Sequence, residues 1–127
     1  MAQILVIDDD QIIREILITT LGEEGHTITA ASDGWEGMKK FRPFVHQLVI
    51  TDVVMPQIDG TDLLRVLRRE VPNIPVIVVT AHATQRKEPG KTTTLETLNE
   101  LGATRVLTKP FTREALLTAV NEALATH

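Results

Sequence analysis

Short runs of apolar residues, separated by segments with helical spacing, are the main pattern along the chain. Three runs, at residues 4–7, 48–50 and 76–79, are continuous and rich in β-branched side chains. Runs that are apolar on both faces are typical of parallel strands covered by helices on each side. Two weaker candidates, at residues 27–31 and 105–108, alternate more between apolar and polar positions. The pattern therefore predicts five strands.

The segments between these strands carry helical periodicity. Five apolar residues after the first strand recur at intervals of three and four, so we expect them to share one helix face: Ile12, Ile13, Ile16, Leu17 and Leu21. Amphipathic stretches at 35–41, 63–67 and 116–124 predict three more helices. Thr93 and Glu96 have the spacing of a capping box, which predicts a helix start between the fourth and fifth strands. Five strands alternating with five helices indicate an α/β fold with a doubly wound parallel sheet.

Length and charge narrow the class of protein. The chain has 127 residues and a net charge of −4, so we expect a single domain over residues 1–127 with no direct nucleic-acid contact. Its apolar runs are too short to span a membrane. The absence of cysteine is compatible with a reducing compartment, and we expect a cytoplasmic location.

Reactive side chains stand at the ends of the predicted strands. They are Asp8, Asp9, Asp10, Asp52, Thr80 and Lys109. In a doubly wound sheet, ligands bind at the carboxyl edge of the strands, where these groups would meet. Asp8, Asp9 and Asp52 with the Lys109 ammonium group carry a net charge of −2, which favours a hard dication such as Mg²⁺. An aspartate beside Mg²⁺ and a lysine can act as a nucleophile toward a phosphoryl group.

Four segments that contain these residues resemble the receiver domain of two-component response regulators. They are ILVIDDD (4–10), LVITDVVMPQIDG (48–60), VIVVTA (76–81) and LTKPF (107–111). They follow the family's order, and the resemblance covers essentially the whole chain. It implies a flavodoxin-like five-stranded parallel sheet in the order 2-1-3-4-5.

The resemblance also implies a phosphorylation site. Asp52 would accept a phosphoryl group from a sensor histidine kinase or a histidine phosphotransfer protein. Thr80 and Lys109 would contact the phosphoryl oxygens, and Pro110 would follow a cis peptide bond. Phosphorylation would change the binding of a downstream protein partner at the surface of the fourth helix, fifth strand and fifth helix.

A magnesium site is the second implication of the resemblance. Asp9 and Asp52 would bind Mg²⁺ directly, Asp8 would bind it largely through water, and Val54 would offer its backbone carbonyl.

Three features depart from the family pattern. Val106 occupies a position where the family commonly has an aromatic residue coupled to Thr80, so we expect any activation signal at this face to be carried differently or weakly. The polar stretch at 82–92 makes the chain longer than expected, which we interpret as a surface loop, with a mobile lid or partner-contacting segment as the alternative. Val54 and His82 stand where the family's side chains influence water attack. An apolar Val54 cannot orient water, so we expect slow dephosphorylation, which a Val54→Asn substitution would accelerate.

Two other functions stay open. The spacing of Asp8 and Asp10 matches the DxD motif of haloacid-dehalogenase-type aspartyl phosphatases, in which Asp8 would be the nucleophile. A degenerate receiver that binds its partner constitutively is the other alternative.

Several polar residues have simpler interpretations. We expect Asp10 to be the N-cap of the first helix. His26, His46 and His127 lack metal-like spacing and are predicted to be surface residues.

Overall fold

A computed structural model describes residues 1–52, 60–80, 86–88, 91–92 and 102–125. The elements in chain order are β1 (Gln3–Ile7), α1 (Gln11–Glu23), β2 (Thr27–Ala31), α2 (Gly34–Lys40), β3 (Leu48–Asp52), α3 (Gly60–Glu70), β4 (Val76–Thr80), β5 (Arg86–Glu88), β6 (Lys91–Thr92), β7 (Arg105–Thr108) and α4 (Arg113–Ala125). Five residues discussed above lie outside the described part: Val54, His82, Thr93, Glu96 and His127. The helix predicted from residue 93 onward therefore stays a prediction.

Five strands form one parallel sheet in the order β2-β1-β3-β4-β7. This is the predicted order, with β7 as the fifth predicted strand. The strands are in register at their carboxyl ends, because Ile7 pairs with Thr51, Asp52 with Val79, and Thr80 with Thr108. Within the stretch predicted as a loop at 82–92, β5 and β6 form a separate antiparallel pair.

The core consists of one apolar layer on each face of the sheet. Successive side chains of a strand point to opposite faces. Leu5 and Ile7 of β1 therefore pack with the α3 side chains on one face. Ile4 and Val6 pack with α1 and α4 on the other face. Helices on both faces of a parallel sheet confirm the doubly wound α/β fold.

The first helix begins as predicted but buries a narrower face. The Asp10 carboxylate accepts a hydrogen bond from the Ile12 N–H at 2.9 Å, which confirms Asp10 as the N-cap. Leu17 and Leu21 are buried, whereas Ile12 and Ile16 are 69% and 44% exposed. The longest described helices, α1 and α4, have 13 residues each. Within the described part of the chain, no helix has the length and hydropathy needed to cross a bilayer.

The surface prediction for His46 is wrong. The residue is 6% exposed, and its ring bridges the segment before β3 to β2. Its Nδ1 accepts a hydrogen bond from the Arg42 N–H at 2.9 Å, and its Nε2 lies 3.2 Å from Thr29 Oγ1. His26 is half-buried rather than exposed, and its Nδ1 accepts from the Ala2 N–H at 3.0 Å. Both imidazoles serve as structural hydrogen-bond acceptors.

Candidate functional site

The carboxyl ends of four neighbouring strands bring the predicted site residues to one edge of the sheet. Asp8 follows β1 directly, Asp52 is the last residue of β3, and Thr80 is the last residue of β4. Lys109 follows β7, and its backbone N–H donates to the Thr80 carbonyl at 2.8 Å. The parallel register therefore places an acid pair, a hydroxyl and an ammonium group side by side.

Three carboxylates form a tight cluster at this edge. One oxygen each from Asp8, Asp9 and Asp52 lies within 4.8 Å of the other two. Asp8 and Asp52 are buried, and Asp9 is exposed. Carboxylate oxygens at such spacing suit a hard dication, since mutual repulsion of the charges is relieved by a cation between them. The donor set of these residues therefore fits Mg²⁺.

Lys109 connects the two buried acids. Its Nζ lies 3.3 Å from Asp8 Oδ2 and 3.2 Å from Asp52 Oδ2. Burial of the ammonium group opposes its charged form, but attraction to Asp52 and Asp8 outweighs burial and raises the pKa of Lys109 above its ordinary value of 10.5. The peptide bond from Lys109 to Pro110 is cis, as the resemblance implied.

The surroundings of Asp8 disfavour its charged form. Its side chain is 1% exposed, and this burial is the main reason that its pKa is raised above the ordinary 3.8. The Asp52 charge raises the pKa further, whereas the Asp10 N–H, which donates to Asp8 Oδ1 at 2.9 Å, and Lys109 act in the opposite direction. Both Asp8 oxygens are thus engaged by protein groups.

The neighbourhood of Thr80 has an aliphatic side chain at the position where the resemblance implies an aromatic one. Thr80 is fully buried at the end of β4. Val106 pairs with Val78 in the adjacent strand and packs, half-buried, against the core layer on the α3 side. At this position the chain has an aliphatic side chain held in the core, with no ring to exchange between inward and outward orientations.

One polar contact of this edge was not predicted from the sequence. Arg14, on α1, donates from Nη1 to the backbone carbonyl of Asp8 at 2.8 Å. A single arginine in an amphipathic helix belongs to no sequence motif. Its contact with Asp8 could not be predicted because it depends on the conformation of the turn between β1 and α1.

Comparison with known proteins gives the family. A family model described as the response regulator receiver domain matches residues 4–121. The chain belongs to this family. Receiver domains act in two-component signal transduction, where histidine kinases phosphorylate them and downstream effectors bind them. The acidic cluster on the sheet edge is typical of the family's phosphorylation site.

Individual relatives support the same assignment. The two-component response regulator PhoP of Pseudomonas aeruginosa is 32% identical over 123 residues, which cover 96% of this chain and 51% of that regulator. The chain spans about half or less of the length of the curated relatives that it matches. A crystal structure of a receiver domain protein from Clostridium thermocellum superposes with a TM-score of 0.87 at 31% identity, covering 99% of this chain and 96% of that one.

A second solved structure was determined with a metal. The response regulator protein TrrA from Thermotoga maritima, in complex with Mg(2+)-BeF, gives a TM-score of 0.82 at 33% identity. The match covers 98% of this receiver domain and 100% of that chain.

Proposed function

We propose that Asp52 accepts a phosphoryl group from the phosphohistidine of a sensor kinase or phosphotransfer protein, in a reaction that requires Mg²⁺. One observation carries the proposal: the Lys109 ammonium group bridges Asp8 and Asp52 within a three-carboxylate cluster, in a domain of the receiver family. An Asp52 carboxylate oxygen would bond to phosphorus while the phosphorus–nitrogen bond to histidine breaks, so that an aspartyl phosphate and a free imidazole result.

The neighbouring residues would bind and orient the phosphoryl group. Lys109 is held within 3.2 Å of Asp52 Oδ2 and would move with little displacement onto a phosphoryl oxygen. Thr80, at the end of the adjacent strand, supplies a hydroxyl that can donate to another oxygen. Fixed donors of this kind stabilise charge that develops during transfer.

Asp9 and Asp52 would ligate Mg²⁺ directly, and Asp8 largely through water. Asp9 suits direct ligation because its carboxylate is exposed, whereas both Asp8 oxygens already have protein partners. The Val54 carbonyl is proposed as a further ligand from the resemblance. When bound, the metal would neutralise charge on the phosphoryl oxygens.

The same geometry disfavours a phosphatase that uses Asp8 as its nucleophile. Asp8 is 1% exposed, accepts from the Asp10 N–H through Oδ1 and pairs with Lys109 through Oδ2, so both of its oxygens have protein partners and the residue is less accessible to a substrate than Asp52, which is 7% exposed. We therefore propose a signalling domain that assists its own phosphorylation and dephosphorylation rather than an enzyme that turns over a separate substrate. Residues 1–127 are proposed to form one receiver domain, and a cytoplasmic location remains a prediction.

Mass spectrometry after incubation with acetyl phosphate and Mg²⁺ tests the assignment. We expect one phosphoryl adduct, which is lost in Asp52→Ala and retained in Asp62→Ala, a matched change of an exposed acid on α3. An adduct that maps to Asp8 would favour the phosphatase. No adduct on the wild-type chain would favour a degenerate receiver that binds its partner constitutively.

A further inference from the structure

Arg14 contacts the acidic edge through the backbone rather than through a carboxylate. Its Nη1 donates to the Asp8 carbonyl oxygen at 2.8 Å, and the residue is half-buried on the first turn of α1. That carbonyl belongs to the peptide that joins Asp8 to Asp9. The guanidinium group therefore holds the peptide plane from which the exposed Asp9 side chain projects.

The other groups of this turn are also fixed by local hydrogen bonds. The Asp10 N–H donates to Asp8 Oδ1 at 2.9 Å, and the Asp10 carboxylate accepts from the Ile12 N–H at 2.9 Å. The Arg14 N–H in turn donates to the Asp10 carbonyl at 2.9 Å. Hydrogen bonds to α1 thus hold the chain on both sides of Asp9: at the Asp8 carbonyl and at Asp10. Arg14 is the one side chain among these anchors that comes from outside the turn.

We propose that Arg14 is a positioning residue for metal binding, which holds the Asp8–Asp9 peptide so that the Asp9 carboxylate faces the site. The inference rests on the proposed function, because it requires that the cluster binds Mg²⁺. Groups that orient metal ligands without touching the metal commonly contribute about 10- to 100-fold to metal affinity.

The sign of the effect separates positioning from simple electrostatics. Arg14 is a cation close to a proposed dication site, so its charge alone would weaken Mg²⁺ binding. If only charge mattered, neutralising Arg14 would tighten binding. If Arg14 positions Asp9, the same substitution weakens binding although it removes a repulsive charge.

The experiment compares Mg²⁺ affinity by calorimetry in the wild-type chain, Arg14→Met and Arg14→Lys. We expect Arg14→Met to weaken Mg²⁺ binding about tenfold and Arg14→Lys, which keeps a donor, to recover part of that loss. Arg42→Met is the matched control, because Arg42 also donates to backbone carbonyls, those of Lys39 and Phe41, but away from the acidic cluster. We expect Arg42→Met to bind Mg²⁺ like the wild type.

A metal-free measurement gives a second readout. Hydrogen exchange of the Asp10 amide, which donates to Asp8 Oδ1, should accelerate in Arg14→Met and remain slow in Arg42→Met. Unchanged or tighter Mg²⁺ binding in Arg14→Met, in a chain whose wild type binds Mg²⁺, would overturn the inference and leave the proposed function intact. A wild-type chain that binds no Mg²⁺ would overturn both. Arg14→Lys serves as the test variant if Arg14→Met does not fold.

Discussion

The Asp8 side chain is 1% exposed, and its carboxylate lies close to the Asp52 carboxylate. Burial and the neighbouring negative charge both disfavour its ionised form, and the Lys109 ammonium group and the Asp10 N–H compensate only in part, since the pKa of Asp8 stays raised. Such a group destabilises the fold in the state without metal. Functional sites often retain destabilising groups of this kind, because the chemistry depends on them.

Replacing Asp8 by asparagine should therefore stabilise the metal-free domain. Asparagine keeps an oxygen that can accept from the Asp10 N–H and removes the buried charge, while Lys109 keeps Asp52 as its partner. We expect the free energy of unfolding at about pH 7, measured with urea in the presence of a chelator, to rise by about 0.5–2 kcal/mol. The matched control is Asp9→Asn, which should give a smaller gain because the Asp9 carboxylate is exposed.

The pH dependence of this gain has a definite sign. Because the folded pKa of Asp8 lies above 3.8, the folded state holds the Asp8 proton more tightly than the unfolded state does. The destabilisation is complete above the raised pKa and disappears as the pH falls toward 3.8. The advantage of Asp8→Asn should shrink over the same interval. A variant less stable than the wild type at neutral pH without metal would contradict the account.

His46 should make stability sensitive to mild acid. Its Nδ1 accepts from the Arg42 N–H, its ring stacks on Phe41 with centroids 5.8 Å apart, and burial together with the nearby Arg42 charge lowers its pKa below 6.5. The unfolded state therefore takes up the proton first, and stability falls as the pH drops from 6.5 through the lowered folded pKa. In urea titrations, the free energies of unfolding of the wild type and His46→Gln should differ most near pH 7. We expect this difference to be smaller at about pH 5. A constant difference would refute this role.

At the scale of elements, continuous apolar runs identify strands more securely than helical spacing identifies a buried face. The strands β1, β3 and β4 could be predicted because both of their faces contact helices, so each contains an unbroken run of apolar residues, at 4–7, 48–50 and 76–79. Spacing in α1 shows only which residues align. It does not show that the stripe of Leu17 and Leu21 faces the sheet while Ile12 and Ile16 face solvent, because the rotation of a helix depends on its packing partners.

Isolated polar residues are predicted least well from the sequence. The site residues could be predicted because each lies at or just after the carboxyl end of a strand, and the sheet topology brings these ends together: Asp8, Asp9, Asp52, Thr80 and Lys109. His46 and Arg14 follow no strand and belong to no repeating pattern. Their roles arise from contacts with backbone groups that become neighbours only after folding.

Close approach of α2 to β1 gives a test at this scale. A Cβ on Gly37 would lie 2.8 Å from Ile7 Cγ1 and closer still to the end of that side chain, which is 1% exposed. We expect Gly37→Ala to lower the free energy of unfolding by about 1–3 kcal/mol because the helix must shift. The matched control is Gly22→Ala in α1, where no atom of the described residues, apart from the chain neighbours and the backbone of the same helix, lies within 4 Å of the added methyl group.

The control should change stability in the opposite direction. Alanine at an unobstructed helical position is favoured over glycine by about 0.5–1 kcal/mol. Thermal or urea unfolding of the two variants measures both effects under identical conditions. If both substitutions change the free energy of unfolding equally, the Ile7 side chain moves aside at little cost and helix propensity alone accounts for the change.

At the scale of the whole molecule, the metal site couples chemistry to global stability. The chain carries 17 acidic and 13 basic side chains, and three of the acids converge on one edge of the sheet. Unfolding separates Asp52 from Asp8 and Asp9, since Asp52 ends β3 whereas the other two follow β1. A dication that binds the assembled cluster binds the folded state alone, so its binding free energy adds to the stability of the entire domain.

Mg²⁺ should therefore stabilise the wild-type domain by an amount fixed in advance by its dissociation constant. At a free Mg²⁺ concentration of 100 times that constant, the free energy of unfolding should rise by about 2.7 kcal/mol. Calorimetry supplies the constant independently, so the comparison has no adjustable parameter. NaCl at matched ionic strength separates this effect from general screening of the −4 net charge.

Substitutions locate the coupling within the molecule. Asp52→Asn removes a ligand from the cluster and should abolish most of the Mg²⁺-dependent gain, whereas Asp62→Asn, an exposed acid on α3, should leave the gain unchanged. The Asp8→Asn variant should have a higher free energy of unfolding than the wild type when no metal is present. It should lose this advantage as Mg²⁺ saturates the wild-type cluster, because the dication neutralises the same repulsion that the substitution removes. If NaCl gives the same rise in the free energy of unfolding, or if Asp52→Asn keeps the Mg²⁺-dependent rise, the stabilising cation binds elsewhere on the surface. The free energies of unfolding of the wild type and Asp8→Asn should therefore cross as the Mg²⁺ concentration rises. This crossing tests the raised pKa of Asp8, the acidic cluster and the proposed binding of Mg²⁺ in one experiment.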